Sequence, residues 1–454
     1  MNLAADDGWL VSPAGGGTAD SSYFDANRNV IKVNTGDTVS RAILRPTATY
    51  SGKSVDVVCK WDGSGTVTPF MQATNVNLTW TSTNSFRFTV LPNSIAASIA
   101  YLKAVDPNNP VRNFDCREAD ADPNALFDPA YLAMVKRFTT ARFMQWQGVN
   151  NNPPSITWAA RTTPAMGQIK GTDGYAIEYM IALANQAHVN PWFCMPWNAD
   201  DDYIRRFATM VRDQLDPSLT AYVELSNEVW NYFMPVTIQA QNEAQAENLS
   251  SNIYLGTILR YAEKHGHVMD IWSDVFQGQT SRIVRVLSGQ NGGGGLQQIM
   301  PYRDTATKVD ALASAPYFGY DITSYTGPTN DLSSMFADIK ASVDQNIDYA
   351  KNVKTLADQY GKRYVSYEGG QGVTGNAATV ALLSQVQHDP RMGQLMSYYM
   401  TRWANEIGDN LNLFDDIDQV SNYGAWGLLD YVGESPVGTP KSKAVFLMQQ
   451  SIGK

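Results

Sequence analysis

AYVELSNEVWNY, residues 221–232, starts as a buried strand and ends with an amide and a carboxylate side by side, Asn227 and Glu228, followed by Trp230. A core strand has no use for polar groups at its carboxyl end unless that end opens into a site. In a closed parallel barrel it does so, because strand ends line the mouth while mid-strand residues fill the interior. On this reading Tyr222, Val223 and Leu225 belong to the packed layers, and Asn227 and Glu228 stand at the mouth.

The neighbouring sequence repeats the pattern. "RNFDCRE" (112–118), "ARFMQW" (141–146), "PWFCMPW" (191–197), "SRIVRVLSG" (281–289), "VDALASAPYF" (309–318), "KRYVSYE" (362–368) and "LNLFDDI" (411–417) are short apolar runs separated by helical stretches or loops. After residue 197, Tyr203, Ile204, Phe207, Met210 and Val211 recur at helical spacing. With 221–227 these make eight strands, the pattern of a (β/α)8 TIM barrel. A doubly wound open sheet needs a glycine-rich phosphate turn after its first strand. "NGGGG" (291–295) has neither the G-x-G-x-x-G spacing nor a Walker lysine, and reads as a loop.

Ahead of residue 110 the chain is different. "NVIKVNTGDTV", "SVDVVCKWDGSGTVTPF", "VNLTWTSTNSFRFTVL" and "SIAYLKAV" are β-rich runs with turn residues between them, the composition of a small antiparallel β-module. The expected division is a module over 1–110 and a barrel over 111–454, joined through "DPNNPVRN" (106–113). Trp61 is the module's candidate glycan contact.

A net charge of -10 and a pI near 4.9, with no Lys/Arg run, argue against nucleic acid or an anionic membrane as partner. A neutral ligand fits better, and 11 Trp with 23 Tyr at only 17% charged residues suits a carbohydrate-active protein. No stretch approaches the roughly 20 apolar residues of a membrane span. "MNLAADDGWLVSPAGGG" shows no leader, and the expectation is a secreted or periplasmic protein whose leader is absent from this chain. Cys59, Cys116 and Cys194 leave room for one disulfide of open pairing and argue against a zinc site.

A second glutamate has the same placing as Glu228. "YVSYEGGQG" brings Glu368 to the end of the seventh strand, with Gly369 and Gly370 letting the backbone turn away. Strands four and seven face each other across an eight-strand ring, so the two carboxylates aim into one pocket. Paired carboxylates are the apparatus for breaking a glycosidic bond.

"SNEVWN", "SYEGG" and "YGAWGLLDY", in that order at strand ends, resemble the retaining glycoside hydrolases of clan A, the 4/7 superfamily. "FMQW", "PWFCMPW" and "ADDDYIRRFA" look like a poorly characterised bacterial branch sometimes labelled cellulose-binding. Over residues 110 to 450 the resemblance implies Glu228 as general acid/base and Glu368 as nucleophile. It further implies that Asn227 bonds the sugar 2-hydroxyl, that Tyr317 holds Glu368, and that Trp426 forms an aromatic floor. Where the family often has a histidine two residues before that tyrosine, this chain has Ala315.

The chemistry asks that the nucleophile be ionised, which donors such as Tyr317 or Arg142 would favour, and that the acid keep its proton. Each residue also has a plainer reading. Arg142 is a substrate-site residue or a barrel-bottom ion pair, and Tyr317 a site residue or a core aromatic. Trp146, Trp158, Trp197, Trp230 and Trp426 are sugar platforms or packing. Asp200, Asp201 and Asp202 read as helix caps, with a cation site or a sugar contact as the alternative, and Glu178 as structural. None of His188, His265, His267 and His388 sits at a strand end. The expectation is a retaining glycosidase acting on a β-linked glycan, an endo-β-glucanase by preference, needing no cofactor or metal, and a monomer or weak oligomer. A non-catalytic carbohydrate-binding protein and a transglycosylase are the alternatives.

Overall fold

A computed structural model describes residues 8–43, 53–70, 75–91, 98–166 and 174–453, so residues 1–7 of the leader expectation lie outside the described residues. Two compact units divide the chain: Met1–Tyr131 with Arg161–Tyr179, and Leu132–Ala160 with Met180–Lys454.

The first unit holds two four-stranded sheets. Its strands are β1 (Leu10–Ser12), β2 (Thr38–Ala42), β3 (Val55–Asp62), β4 (Gly65–Phe70), β5 (Asn75–Ser82), β6 (Ser85–Val90), β7 (Ile99–Val105) and β8 (Arg112–Glu118). One sheet runs β1-β2-β7-β4 and the other β5-β6-β3-β8, with antiparallel neighbours throughout. Val39, Ala100 and Leu102 of the first and Val57, Phe86, Phe88 and Phe114 of the second share one core.

Three expectations are corrected here. Arg112–Glu118 is not the first barrel strand: it pairs with β3, and Cys59 and Cys116, opposite each other in that register, form a disulfide. The reason is visible in its pattern. Only Phe114 and Cys116 are buried, with more accessible neighbours on either side, which is the period of a strand covered on one face. "DPNNPVRN" therefore connects β7 to β8 inside the sandwich. Trp61 is buried and stacked on Phe114 at 5.6 Å, so it presents no face to a glycan.

The second unit has the TIM-barrel fold class that the alternation of runs predicts, its main sheet a six-stranded parallel half-barrel with helices. Its strands are β9 (Thr140–Arg142), β10 (Asn190–Met195), β11 (Ala221–Leu225), β12 (Ile283–Ser288), β13 (Ala311–Ser314), β14 (Tyr317–Phe318), β15 (Arg363–Ser366) and β16 (Gly370–Gln371). Six of them make one parallel sheet in the order β9-β10-β11-β12-β13-β15, which is chain order, with helices in the crossovers. Beyond β15, Ser366 bridges Leu411 in parallel, so "LNLFDDI" contributes a single bridge where a full strand was expected.

Because alternate residues of a strand face opposite sides, Trp192 and Cys194, Val284 and Val286, and Ala311 and Ala313 fill one interior cluster with Tyr222, Val365 and Tyr367. Trp192 stacks on Tyr222 at 5.2 Å. Burying one aromatic side chain of this kind stabilises by about 1.5–3 kcal/mol. The run "VDALASAPYF" breaks at Pro316, and the short β14 then pairs in parallel with β16, Tyr317 opposite Gly370. That pairing is what brings Tyr317 beside Glu368.

Candidate active site

β11 is buried along its whole length and ends in an unusual turn. Ser226 and Glu228 have φ of 58° and 47°, left-handed backbone that non-glycine residues enter at a cost of about 1–2 kcal/mol each. Asn227 lies between them. Strain of this kind is retained where surrounding contacts outweigh it, and the contacts are present. The Tyr367 hydroxyl donates to Glu228 Oε1 at 2.9 Å, and Asn231 Nδ2 donates to Glu228 Oε2 at 2.7 Å. Thr237 Oγ1 donates to the Glu228 carbonyl at 3.3 Å.

Glu368 follows β15. The backbone turns away at Gly370, whose φ is 99°, while a Cβ on Gly369 would lie 2.7 Å from the Tyr399 hydroxyl. Arg142 Nη1 donates to Glu368 Oε1 at 2.6 Å and the Tyr317 hydroxyl to Oε2 at 2.8 Å. The Ser366 hydroxyl donates to the Glu368 carbonyl. Burial pushes the Glu368 carboxyl up, Arg142 draws it back, and the negative charge of Glu228 adds to the rise. With a guanidinium and a phenol both donating to it, the ionised carboxylate is the form its contacts fit.

Arg142, the last residue of β9, joins the two strand ends. Besides Glu368, it donates from Nη2 to Asn227 Oδ1 at 2.9 Å, and from Nε and Nη2 to Glu224 Oε2 at 3.0 and 2.9 Å. Burial works against its charge, and the carboxylates of Glu224 and Glu368 are among the neighbours that favour it. Asn227 is fixed on its other side by Nδ2 donating to Asn150 Oδ1 at 3.0 Å.

Sequence reasoning passed over Glu224, which is fully buried inside the barrel. Its Oε2 also accepts from Trp192 Nε1 at 2.9 Å and lies 3.6 Å from Cys194 Sγ. Burial pushes the Cys194 thiol well up, so the sulfur is a neutral neighbour. The available signal was a charge at an interior position of an otherwise apolar strand, which a buried partner must satisfy. Tyr367 and Asn231 were passed over as well; neither residue type at those positions announces a carboxylate partner.

The predicted tryptophans separate. Trp426 is half-buried, its ring edge-on to Phe414 at 6.1 Å, and Phe414 is edge-on to Tyr317 at 6.3 Å, so the three rings lead to Glu368. Gly424 is required there, since a Cβ would lie 2.8 Å from the Trp426 ring. Beneath that loop the buried Lys441 donates from Nζ to the carbonyls of Ala425 and Trp426, each at 2.8 Å, and to Gln371 Oε1 at 2.9 Å. Burial draws its pKa down to about 7. Trp230 is half-buried against the interior cluster that includes Tyr367. Trp146 is half-buried with its ring 5.3 Å from Phe143.

Trp197 is corrected from platform to packing. It is 1% exposed, its indole N–H donates to Glu243 Oε1 at 3.1 Å, and Lys264 Nζ lies 4.7 Å over its ring. Trp158 has Tyr203 and the Arg206 guanidinium against it at 6.1 and 6.0 Å. Asp200 caps the helix Asp201–Gln214, accepting from the Tyr203 amide at 2.7 Å. Glu178 pairs with Arg161 at 2.8 Å.

No protein-family profile matches the chain, and no curated protein does. Among solved structures it is similar to the GH51 arabinofuranosidase from Xanthomonas axonopodis pv. citri, with TM-score 0.43 and 13% identity over 65% of this chain and 62% of that one. A 4-O-alpha-L-rhamnosyl-beta-D-glucuronidase from Fusarium oxysporum 12S gives TM-score 0.43 and 13% identity over 70% and 63%. A modular endo-beta-1,4-mannanase from Cellulomonas fimi gives 0.35 and 12% over 72% and 73%. The chain thus spans less than two thirds of the length of the first two.

Proposed function

We propose that this chain is a retaining glycoside hydrolase, with Glu368 as nucleophile and Glu228 as general acid and base. One observation carries the reading: two carboxylates follow separate strand ends, each held by a tyrosine hydroxyl, and Arg142 ties Glu368 to Asn227, the residue beside Glu228.

In the first step a Glu368 oxygen attacks the anomeric carbon while Glu228 gives its proton to the departing glycosidic oxygen. In the second, Glu228 takes a proton from water, whose oxygen displaces Glu368 and restores the original configuration. Arg142 and Tyr317 keep Glu368 charged and aimed. With Oδ1 on Arg142 and Nδ2 on Asn150, Asn227 has a fixed amide for the sugar 2-hydroxyl, a contact that strengthens as charge develops on the ring. Trp426, backed by Lys441, gives an apolar C–H face something flat to lie on.

The substrate in this reading is a β-linked glycan, a β-glucan cut by endo action by preference; the protein works as a monomer or weak oligomer, and it needs no cofactor because acid and nucleophile are both side chains. The Cys59–Cys116 disulfide supports an oxidising compartment, outside the cytoplasm. Incubation of wild type, Glu368→Ala and Glu228→Ala with β-glucans, mannans, xylans and galactans, with products read by mass and by anomeric NMR, tests it. The expected result is cleavage of at least one glycan with retention, loss of orders of magnitude in both variants, and a glycosyl azide from Glu228→Ala with azide. Full activity of Glu368→Ala would end this reading. Preferential transfer to sugar acceptors would make the enzyme a transglycosylase, and polysaccharide retention without cleavage a binding protein.

A further inference from the structure

The loop behind Glu228 carries an aromatic ring that the fold does not use. Phe233 is 96% exposed, more than any other large hydrophobic side chain among the described residues. A lone exposed apolar residue needs no explanation in itself; its setting is what matters.

The loop is tightly tied. The Asn231 amide donates to the Glu228 carbonyl at 2.7 Å, the Met234 amide to the Asn231 carbonyl at 2.8 Å, and Thr237 Oγ1 to the same carbonyl at 2.7 Å. The Asn231 side chain does two things at once. Its Oδ1 accepts from the Phe233 amide at 3.1 Å, while its Nδ2 donates to Glu228 Oε2. One amide thereby sets the backbone of an exposed aromatic in register with a carboxyl. A ring whose backbone is already ordered loses little further freedom when a ligand settles on it.

We propose that Phe233 is a binding platform for the sugar on the leaving-group side of the scissile bond. The inference rests on Glu228 being the proton donor. A donor must reach the glycosidic oxygen to protonate it, so the segment carrying the donor borders the leaving group. Phenylalanine has no polar tip, so it offers only a face. The ligand that fits is a pyranose of a β-linked chain, whose equatorial hydroxyls leave its axial hydrogens as an apolar face. The site makes a glycan chain, rather than a glycoside with a small leaving group, the preferred substrate.

Wild type, Phe233→Ala and Phe233→Trp are compared on β-linked tetrasaccharides and on the glycosyl fluoride of the same sugar, which has no leaving-group ring. Since the side chain is in solvent, the variants fold, as equal melting temperatures will show. In Phe233→Ala the ratio of kcat/KM on tetrasaccharide to that on fluoride is expected to fall by roughly five- to tenfold, the worth of one aromatic contact. Phe233→Trp is expected to restore it. An unchanged ratio in Phe233→Ala, with wild type active on both substrates, overturns the platform alone. A wild type that cleaves neither overturns the reading of the two glutamates, and the platform with it.

Discussion

The Tyr367 hydroxyl donates to Glu228 Oε1 at 2.9 Å, so the residue immediately before one candidate carboxylate holds the other. This follows from the period of two in extended chain: Tyr367 joins Val365 in the barrel interior and reaches across to the end of β11. Tyr367→Phe keeps the ring and removes the donor. The expected cost is about 1 kcal/mol, read as a kcat lower by roughly fivefold with KM little changed. Steady-state kinetics on the cleaved glycan checks it, and an unaltered kcat would separate this hydroxyl from the reaction.

Tyr317→Phe acts on the other carboxylate and is read in pH. Burial raises Glu368, Arg142 opposes that, Glu228 adds to it, and the Tyr317 hydroxyl lowers it. Without the hydroxyl, Glu368 rises further and a smaller fraction is ionised at any given acidic pH. The acid limb of the kcat/KM profile is therefore expected to move to higher pH. A shift to lower pH would mean that the Tyr317 hydroxyl does not favour the ionised form of Glu368.

Glu224→Ala tests the support beneath Arg142. Removing Glu224 leaves a buried guanidinium without two of its hydrogen bonds, and breaking a buried pair from one side costs about 3–5 kcal/mol. Urea unfolding is expected to show a loss of that order. Glu224→Gln, which keeps the shape and an acceptor, is expected to lose less.

His265 is fully buried, and its pKa is drawn down to about 3, chiefly by burial and then by the charge of Arg285. Unfolded histidine titrates near 6.5. Between those values the unfolded chain binds the extra proton, so this group lowers stability as pH falls from about 6.5 towards 3. Compared with wild type, His265→Leu is expected to lose stability less steeply between about pH 6 and pH 4. Parallel curves for the two proteins would contradict the assignment.

The disulfide closes 57 residues of sequence separation in the first unit. A loop of that length corresponds to about 4 kcal/mol in the chain-entropy account. Cys59→Ala with Cys116→Ala is expected to lower the melting transition of that unit, and reductant is expected to do the same to the wild type. Reductant should leave the double variant unaffected.

The barrel was legible because β10 and β11 are buried on both faces and read as continuous apolar runs. Arg112–Glu118 misled for the opposite reason: its apolar residues are near enough to pass for such a run, and only the pairing of Cys116 with Cys59 reveals the sandwich. At the site, Glu228 and Glu368 could be found because glutamates at strand ends stand out from their surroundings. Lys441 could not, since a lysine on the last helix, Pro440–Ser451, looks like surface until the fold places it under the Trp426 loop. Trp197 illustrates the limit for aromatics. Its residue type suits a sugar face and a core equally well, and only the position of Glu243 and Lys264 decides between them.

Ser226 and Glu228, with left-handed φ on either side of Asn227, have a further consequence for engineering. A turn that its own residues disfavour at two positions in three carries no local instruction for its shape. A peptide copied from 221–232, or the same segment grafted onto a foreign scaffold, would relax to ordinary extended chain and aim the carboxylate elsewhere. The smallest portable unit is the segment together with Arg142 and Tyr367, a set that reaches across three strand ends and makes the pocket a property of the whole barrel.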